Sequence, residues 1–200
     1  MNHLLSLQSS LFGPEGTSNK LSQQFIEQLQ KHHPSLQITH RDLNASDIPH
    51  LNAERFSGFS AKQEERSPEQ QQAAELSDQL IHELRASDTI VLGLPMYNFG
   101  VPSTLKAWFD HVARAGVTFQ YGDNGPEGLL KGKKLYIIAT RGGQYAGTDA
   151  DTQTEFVRRI FSFVGITDID FIYAEGLAMS DVREQSLSQA EALLSRKAAA

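Results

Sequence analysis

The sequence predicts an α/β protein in which helices cover both faces of one parallel sheet. Five short apolar segments alternate along the chain with five stretches whose apolar residues recur at helical spacing. This alternation is typical of parallel strands joined by right-handed helical crossovers. The most distinctive junction is residues 90–102, where an apolar run ends at Pro95, a loop with two aromatic residues follows, and Pro102 opens a helix.

The strands are predicted where apolar residues cluster or alternate over a few positions. They cover residues 2–8, 36–40, 89–94, 135–139 and 169–173. The helices are predicted from apolar stripes at three- or four-residue spacing. In chain order these stripes are Leu21, Phe25 and Leu29; Ala73, Leu76, Leu80 and Leu84; Leu105, Trp108, Phe109 and Val112; Phe156, Ile160, Phe163 and Val164; and Leu187, Ala190 and Leu194.

Three helix starts have a recognisable capping pattern. Thr17 or Ser18 is expected to cap the first helix with its hydroxyl. Residues 67–70 combine an N-cap serine, a proline at the first helical position and a glutamine three residues after the cap. Residues 152–155 have the spacing of a second capping box, from Thr152 to Glu155.

Two segments interrupt the alternation of strands and helices. Residues 43–66 are polar and long enough for a functional loop, with short helical turns whose positions the sequence does not fix. Residues 116–128 are rich in glycine and are expected to contain one extended segment and turns.

Five strands favour the order 2-1-3-4-5, which is that of flavodoxin-like folds. We therefore expect a flavodoxin-like three-layer sandwich, with residues 1–200 forming a single domain. In this order the loops that follow strands 1, 3 and 4 meet above one crevice, because ligands of open parallel sheets bind outside the carboxyl ends of the strands.

Composition excludes several classes of function. The chain of 200 residues has a net charge of −6 and no block of lysine or arginine, which argues against nucleic acid as the main partner. It has no cysteine, so disulfides, thiolate nucleophiles and zinc–thiolate sites are absent, and no residues are spaced as metal ligands. Its apolar runs are shorter than the ~20 residues of a membrane span, and its N-terminus does not resemble a signal peptide, so a cytoplasmic location is expected.

The loop after the first strand has the residues of an anion site. Ser9, Ser10, Thr17 and Ser18 lie just before a helix, where hydroxyls, free backbone N–H groups and the helix dipole favour a phosphate. Neither a P-loop nor a G-x-G-x-x-G motif is present, which favours a terminal monophosphate over a triphosphate or a dinucleotide. The alternative is that these are ordinary loop and cap residues.

The loops after strands 3 and 4 are suited to a flat ring. Met96 to Phe99 contains two aromatic residues and an amide, and Thr140 to Gly143 has paired glycines that allow close backbone approach. Taken separately, the aromatic residues fit a core role and Arg141 a surface turn equally well. Since the topology makes the three loops adjacent, together they predict a flat ring with a phosphorylated tail, which suggests FMN.

Several motifs occur together and extend over essentially the whole chain: Ser9-Ser10, 95–99, 105–110, 113–119, 124–129, 141–143, 165–168 and 174–176. On these motifs the chain resembles the bacterial FMN-dependent NADH azoreductases, also described as NADH:quinone oxidoreductases. The resemblance implies a homodimer with one FMN per subunit near the interface. It implies FMN contacts at Ser10, Gly16, Thr17, Ser18, Met96, Tyr97, Asn98, Phe99, Thr140, Arg141, Gly142 and Gly143. The first loop departs from the family's serine-rich pattern, so that Gly16 could help only through its backbone N–H.

The resemblance also implies a two-step reaction with no catalytic side chain. NADH or NADPH gives a hydride to bound FMN and leaves, and a quinone or azo compound then takes the electrons; an azo bond needs two such cycles to yield two amines. Exposed aromatic residues in the long loops are expected to line the substrate mouth, some of them across a dimer, or else to anchor their own loops. These residues are Phe56, Phe59, Phe119 and Tyr121.

Three other readings stay open at this point. A flavodoxin-type electron carrier would bind FMN without oxidising NADH unaided. A response-regulator-type module would need acidic residues after the first strand, where Ser9 and Ser10 stand. An NADPH-dependent FMN reductase or a nitroreductase-like enzyme is the nearest rival, and Arg55, Lys62 and Arg66 could meet a 2′-phosphate or lie in a solvated loop.

Overall fold

The computed structural model describes residues 1–123 and 125–199, so Asn124, part of one quoted motif, lies outside the described residues. Within these ranges the strands are β1 (His3–Gln8), β2 (Gln37–Asp42), β3 (Thr89–Pro95), β4 (Phe119–Gly122), β5 (Gly125–Gly128), β6 (Lys134–Thr140) and β7 (Asp168–Ala174). The α-helices are α1 (Thr17–His32), α2 (Ala53–Gly58), α3 (Pro68–Ala86), α4 (Ser103–Val112), α5 (Thr154–Phe163) and α6 (Arg183–Ala198).

Five strands form a parallel sheet in the order β2-β1-β3-β6-β7. Because β6 and β7 are the fourth and fifth predicted strands, the expected 2-1-3-4-5 order and the flavodoxin-like fold are confirmed. The register pairs Leu5 with Ile90 and Ile90 with Leu135, which aligns the buried centres of three neighbouring strands. The segment expected to hold one extended stretch is instead an antiparallel hairpin of β4 and β5.

Helices cover both faces of the sheet. Successive side chains of a strand point to opposite faces, and accordingly Leu4 packs in the core beneath α1 and α6 while Leu5 packs in the core beneath α3, α4 and α5. Strand β3 is buried along its whole length, as its continuous apolar run predicts. The three-layer arrangement leaves the ends of the strands uncovered, and there the loops meet.

The predicted helix caps had different outcomes. The Ser67 capping box is confirmed, because the Ser67 hydroxyl accepts from the Gln70 N–H and the Gln70 side chain accepts from the Ser67 N–H. The prediction of a capping box from Thr152 to Glu155 is wrong. Helix α5 begins at Thr154, and the Thr154 N–H donates to the Asp151 carboxylate at 3.0 Å. A carboxylate is a stronger acceptor than the threonine hydroxyl expected there.

The β4–β5 hairpin lies at the end of the sheet where the parallel strands begin, whereas the loops after β1, β3 and β6 lie at the end where these strands terminate, called the carboxyl edge. Helix α4 starts at the carboxyl edge and runs back toward the other end of the strands, where the hairpin begins. There Arg85, at the end of α3, donates to the Val117 carbonyl at 2.6 Å, and the ring of Phe119 packs 4.3 Å from that of Phe163. In the described part of the chain, no helix has the length and apolarity needed to cross a membrane.

Candidate functional site

A cleft of about 160 Å³ lies at the end of the sheet where the parallel strands terminate. The three loops predicted to converge all contribute to it. It is lined by Ser10, Phe12, Thr17, Ser18, Pro95, Met96, Tyr97, Thr140, Arg141, Gly142 and Leu177.

One end of the cleft is the N-terminus of α1. The N-cap is Gly16, and no side chain caps the helix, so the N–H groups of Thr17, Ser18 and Asn19 make no bond to the described residues. The Ser18 hydroxyl is buried and likewise without a partner among them. Thr17 and Ser18 are thus the first two helical residues, and the expectation that one of them caps the helix is wrong. Their unused donors and the helix dipole form a site for an anion.

Gly16 allows the first loop to fold tightly. A Cβ atom at this position would lie 2.0 Å from the Ser10 hydroxyl oxygen, so any other residue would displace Ser10. The Gly16 N–H donates to the Gly13 carbonyl at 3.1 Å and is therefore already engaged. Gly16 therefore contributes by letting its backbone lie close to Ser10. The sequence-based expectation that its N–H helps to bind FMN is not supported, because that N–H already bonds to Gly13.

Tyr97 joins the first loop to the second. Its hydroxyl accepts from the Leu11 N–H at 3.2 Å and lies 3.2 Å from the Ser10 hydroxyl. Ser10 in turn accepts from the Phe12 N–H at 3.2 Å. The Tyr97 side chain thus links the loop after β3 to the loop after β1, and both loops line the cleft.

The loop after β3 closes in a tight turn with two left-handed residues. Asn98 has a φ of +49° and Phe99 a φ of +60°, and the backbones of Tyr97 and Gly100 exchange hydrogen bonds of 3.2 and 2.9 Å. Turns of this kind need positive φ at both central positions, which asparagine tolerates and phenylalanine does not, so Phe99 is the strained residue. The turn follows directly after Met96 and Tyr97 of the cleft lining, but Asn98 and Phe99 are not part of that lining. The exposed Phe99 ring lies 5.6 Å from the ring of Tyr145.

The Arg141 side chain points away from the cleft. Its guanidinium donates to Asp151 at 2.9 Å, to Glu175 at 3.0 Å and to the Thr154 hydroxyl at 2.9 Å, and it lies over the ring of Tyr173. Burial raises the pKa of Asp151, but hydrogen bonds from Thr154 and Arg141 outweigh it and the net pKa is lowered. Only the backbone of Arg141 is therefore free to contact a ligand in the cleft. The cleft lining contains no other arginine and no lysine.

The two glycines of the third loop have different surroundings. Their carbonyls accept from the backbone of residues 176 and 178, at 2.9 and 3.0 Å, which fixes the loop. A Cβ at Gly142 would make only an ordinary contact with Ala178, whereas one at Gly143 would approach the Tyr145 hydroxyl to 2.6 Å. Gly142 lines the cleft, and Gly143 instead makes room for Tyr145.

None of the four aromatic residues expected at a substrate mouth lines this cleft. Phe119 is only 7% exposed and anchors its hairpin. The Phe59 ring lies under the Arg114 guanidinium on the outer side of α4, in contact with the exposed Phe56. Tyr121 is 76% exposed on the hairpin at the opposite edge.

Some residues at the site were missed by sequence reasoning. Phe12 and Leu177 line the cleft, and Phe12 is predictable in retrospect because it follows Ser10 in the same loop. Thr152 and Gln153 bond to the turn after β3, and Glu175 bonds to Arg141. No local pattern identifies these three, since their partners are distant in the sequence.

The model of the flavodoxin-like fold family matches residues 2–198. An FMN-dependent NADH:quinone oxidoreductase of Cellvibrio japonicus (strain Ueda107) is 47% identical over 200 residues, all of both chains. A protein of the same name from Alcanivorax borkumensis is 48% identical over 193 residues, which are 96% of this chain and 98% of that one. The solved FMN-dependent NADH-azoreductase from Bacillus anthracis str. Ames Ancestor, in complex with FMN, is 25% identical with a TM-score of 0.86 and covers 98% of this chain and 100% of that chain.

Proposed function

The chain belongs to the flavodoxin-like fold family and to its FMN-dependent NADH:quinone oxidoreductases, and we propose that it reduces both quinones and azo compounds in a two-step, ping-pong reaction. It is an FMN-dependent enzyme with NADH as electron donor. In the proposed order, NADH is oxidised and leaves before the acceptor enters the same space. Cleavage of an azo bond to two amines takes two such cycles.

The anion end of the cleft supports this proposal most directly. The first N–H groups of α1 and the buried Ser18 hydroxyl are hydrogen-bond donors without a partner among the described residues. No lysine lines the cleft, and the side chain of its one arginine is bound elsewhere. These residues fit the phosphate of FMN, which can be bound by neutral donors at a helix N-terminus. Ser10, Thr17 and Ser18 are the side chains proposed to hold it.

The other end of the cleft fits the ring of FMN. Met96 and Tyr97 supply an apolar wall. Asn98 and Phe99, which follow directly in the same loop, are proposed to offer the Asn98 amide and backbone groups to the polar side of the ring. The backbone of Thr140 to Gly142 also lines the cleft. Gly143 does not line it and instead makes room for the Tyr145 side chain. Bound FMN supplies the redox chemistry, and the protein's part is to bind, orient and shield it.

We further propose that residues 1–200 act as one domain within a homodimer, with the cofactor near the interface. Leu11, Phe12 and Phe99 are large, apolar and exposed around the cleft, which is unfavourable in water unless a ligand or a second subunit covers them. Tyr121 lies at the opposite edge of the sheet, so it can border a cleft only across a dimer.

Initial rates test the two-step order. With NADH varied at several fixed quinone concentrations, parallel double-reciprocal lines are expected, and converging lines would contradict the order. An azo dye should consume two NADH for each azo bond lost. If free FMN rather than quinone or azo dye proves to be the efficient acceptor, the FMN reductase alternative replaces this proposal.

A further inference from the structure

One short segment contacts both loops that are proposed to hold the ring of FMN. This segment, which we call the clasp, consists of Asp151, Thr152 and Gln153 and lies immediately before α5. Asp151 accepts from the Arg141 side chain in the loop after β6. The Thr152 hydroxyl donates to the Phe99 carbonyl, and the Gln153 amide donates to the carbonyls of Pro95 at 2.9 Å and Gly100 at 3.1 Å in the loop after β3.

Gln153 connects the two ends of the strained turn. The amide nitrogen bonds to Pro95, which ends β3, and to Gly100, which closes the turn on its far side. Between these two points lie the left-handed Asn98 and Phe99. A strained backbone persists only where its surroundings hold it, and these bonds come from outside the turn.

The burial of Gln153 is costly unless its amide has a role. The residue is 0% exposed, and its side-chain oxygen has no partner among the described residues. An apolar side chain would avoid that unsatisfied acceptor. Glutamine at this position is therefore best explained by the two hydrogen bonds that its nitrogen donates.

We propose that Gln153 is a positioning residue of the cofactor site, which holds the turn of residues 97–100 in the shape that binds the ring of FMN. It acts through the backbone of the turn, without contact to the cofactor. Affinity rises when a site is already ordered before the ligand arrives, because less freedom is lost on binding. The inference rests on the proposed function, since it requires that FMN binds in this cleft.

The test compares Gln153→Met with Gln71→Met. Methionine has a similar length but no donor. Gln71 lies on α3 and donates to Glu75, remote from the cleft, so its replacement is a matched control. The FMN dissociation constant, measured by quenching of flavin fluorescence, should rise about tenfold for Gln153→Met, as expected for lost hydrogen bonds of ordinary strength, and stay unchanged for Gln71→Met.

A double-mutant cycle separates positioning from a general structural role. Glycine adopts left-handed conformations freely, so in a Phe99→Gly background the turn needs less support. The loss of FMN affinity caused by Gln153→Met should then shrink to about threefold or less, whereas independent effects would add. An equal loss in both backgrounds would overturn the proposal.

The outcomes distinguish this inference from the function on which it rests. If the wild-type protein takes up no FMN, both are overturned. If the wild type binds FMN and a folded Gln153→Met protein binds it equally well, only the positioning role is overturned. Should Gln153→Met fail to fold, Thr152→Val decides, because Thr152 is exposed: weaker FMN binding supports the clasp, and unchanged binding overturns it.

Discussion

Arg141 and Asp151 form a buried ion pair, 2.9 Å apart, directly behind the cleft. Their side chains are 0% and 8% exposed, and Glu175 completes the group from the end of β7. The arginine that the sequence placed among the cofactor contacts thus holds the protein together through its side chain. Recognition of an anionic ligand is left to hydroxyl and backbone N–H groups.

Replacement of Arg141 by methionine should destabilise the fold strongly. Two largely buried carboxylates, Asp151 and Glu175, would lose the fully buried Arg141 as their counter-charge, and breaking a buried ion pair typically costs about 3–5 kcal/mol. Urea denaturation of the FMN-free protein measures this. Arg159→Met is the control, since its pair with Glu155 is exposed and such pairs contribute about 0–1 kcal/mol. Equal losses in the two variants would contradict the structural role of Arg141.

Ser18→Ala should separate binding from stability. The hydroxyl has no partner in the FMN-free protein, so its removal should leave the free energy of unfolding unchanged or slightly higher. FMN binding should weaken at least tenfold, because a hydrogen bond to a charged group contributes roughly 1.5–3 kcal/mol and about 1.4 kcal/mol is a factor of ten. Ser22→Ala, one turn further along α1, is the control, as its hydroxyl already bonds to the Ser18 carbonyl. Unchanged FMN affinity in Ser18→Ala would remove Ser18 from the phosphate site.

His111 should make the fold sensitive to mild acid. Burial lowers its pKa from 6.5, only partly offset by the Pro49 carbonyl 3.0 Å from its ring. Since the unfolded chain binds the proton more readily, the stability due to neutral His111 is complete above pH 6.5 and is lost progressively below it.

Urea midpoints measured at several pH values down to 5 check this expectation. The loss of stability below pH 6.5 should be smaller in His111→Gln than in the wild type. It should be unaffected in His82→Gln, since His82 is exposed on α3. A wild-type pH profile that His111→Gln leaves unaltered would show that His111 does not govern this response.

Tyr121 tests the proposed dimer and its substrate mouth together. Light scattering should give twice the chain mass of 22.2 kDa. Tyr121→Ala should raise the KM for quinones severalfold without changing the FMN dissociation constant, because the exposed ring does not line the cleft at the carboxyl edge and is proposed to border that of a second subunit. Unaltered turnover of every quinone and azo dye would exclude Tyr121 from the mouth, and a monomer in solution would exclude the dimer.

The sequence predicts those features that depend on neighbouring residues. The apolar run of β3 and the Ser67 cap are local, and both are present in the structure. The stripe predicted for α5 is partly wrong, because Val157 and Phe161 are the buried residues of that helix while Phe156, Ile160 and Phe163 are only partly buried. The convergence of three loops followed from the strand order. By contrast, Arg141 meets Glu175 and Gln153 meets Pro95 across 34 and 58 residues. Such contacts have no sequence pattern, so the role of the Arg141 side chain and the clasp required the fold.

The visible spectrum of the protein tests the central claim most directly. The purified chain is mixed with FMN, desalted, and examined before and after anaerobic addition of NADH. We expect a flavin spectrum that survives desalting and bleaches with NADH. A protein that retains no flavin would contradict the cofactor site, and a bound flavin that neither NADH nor NADPH bleaches would contradict the enzyme and favour an electron carrier.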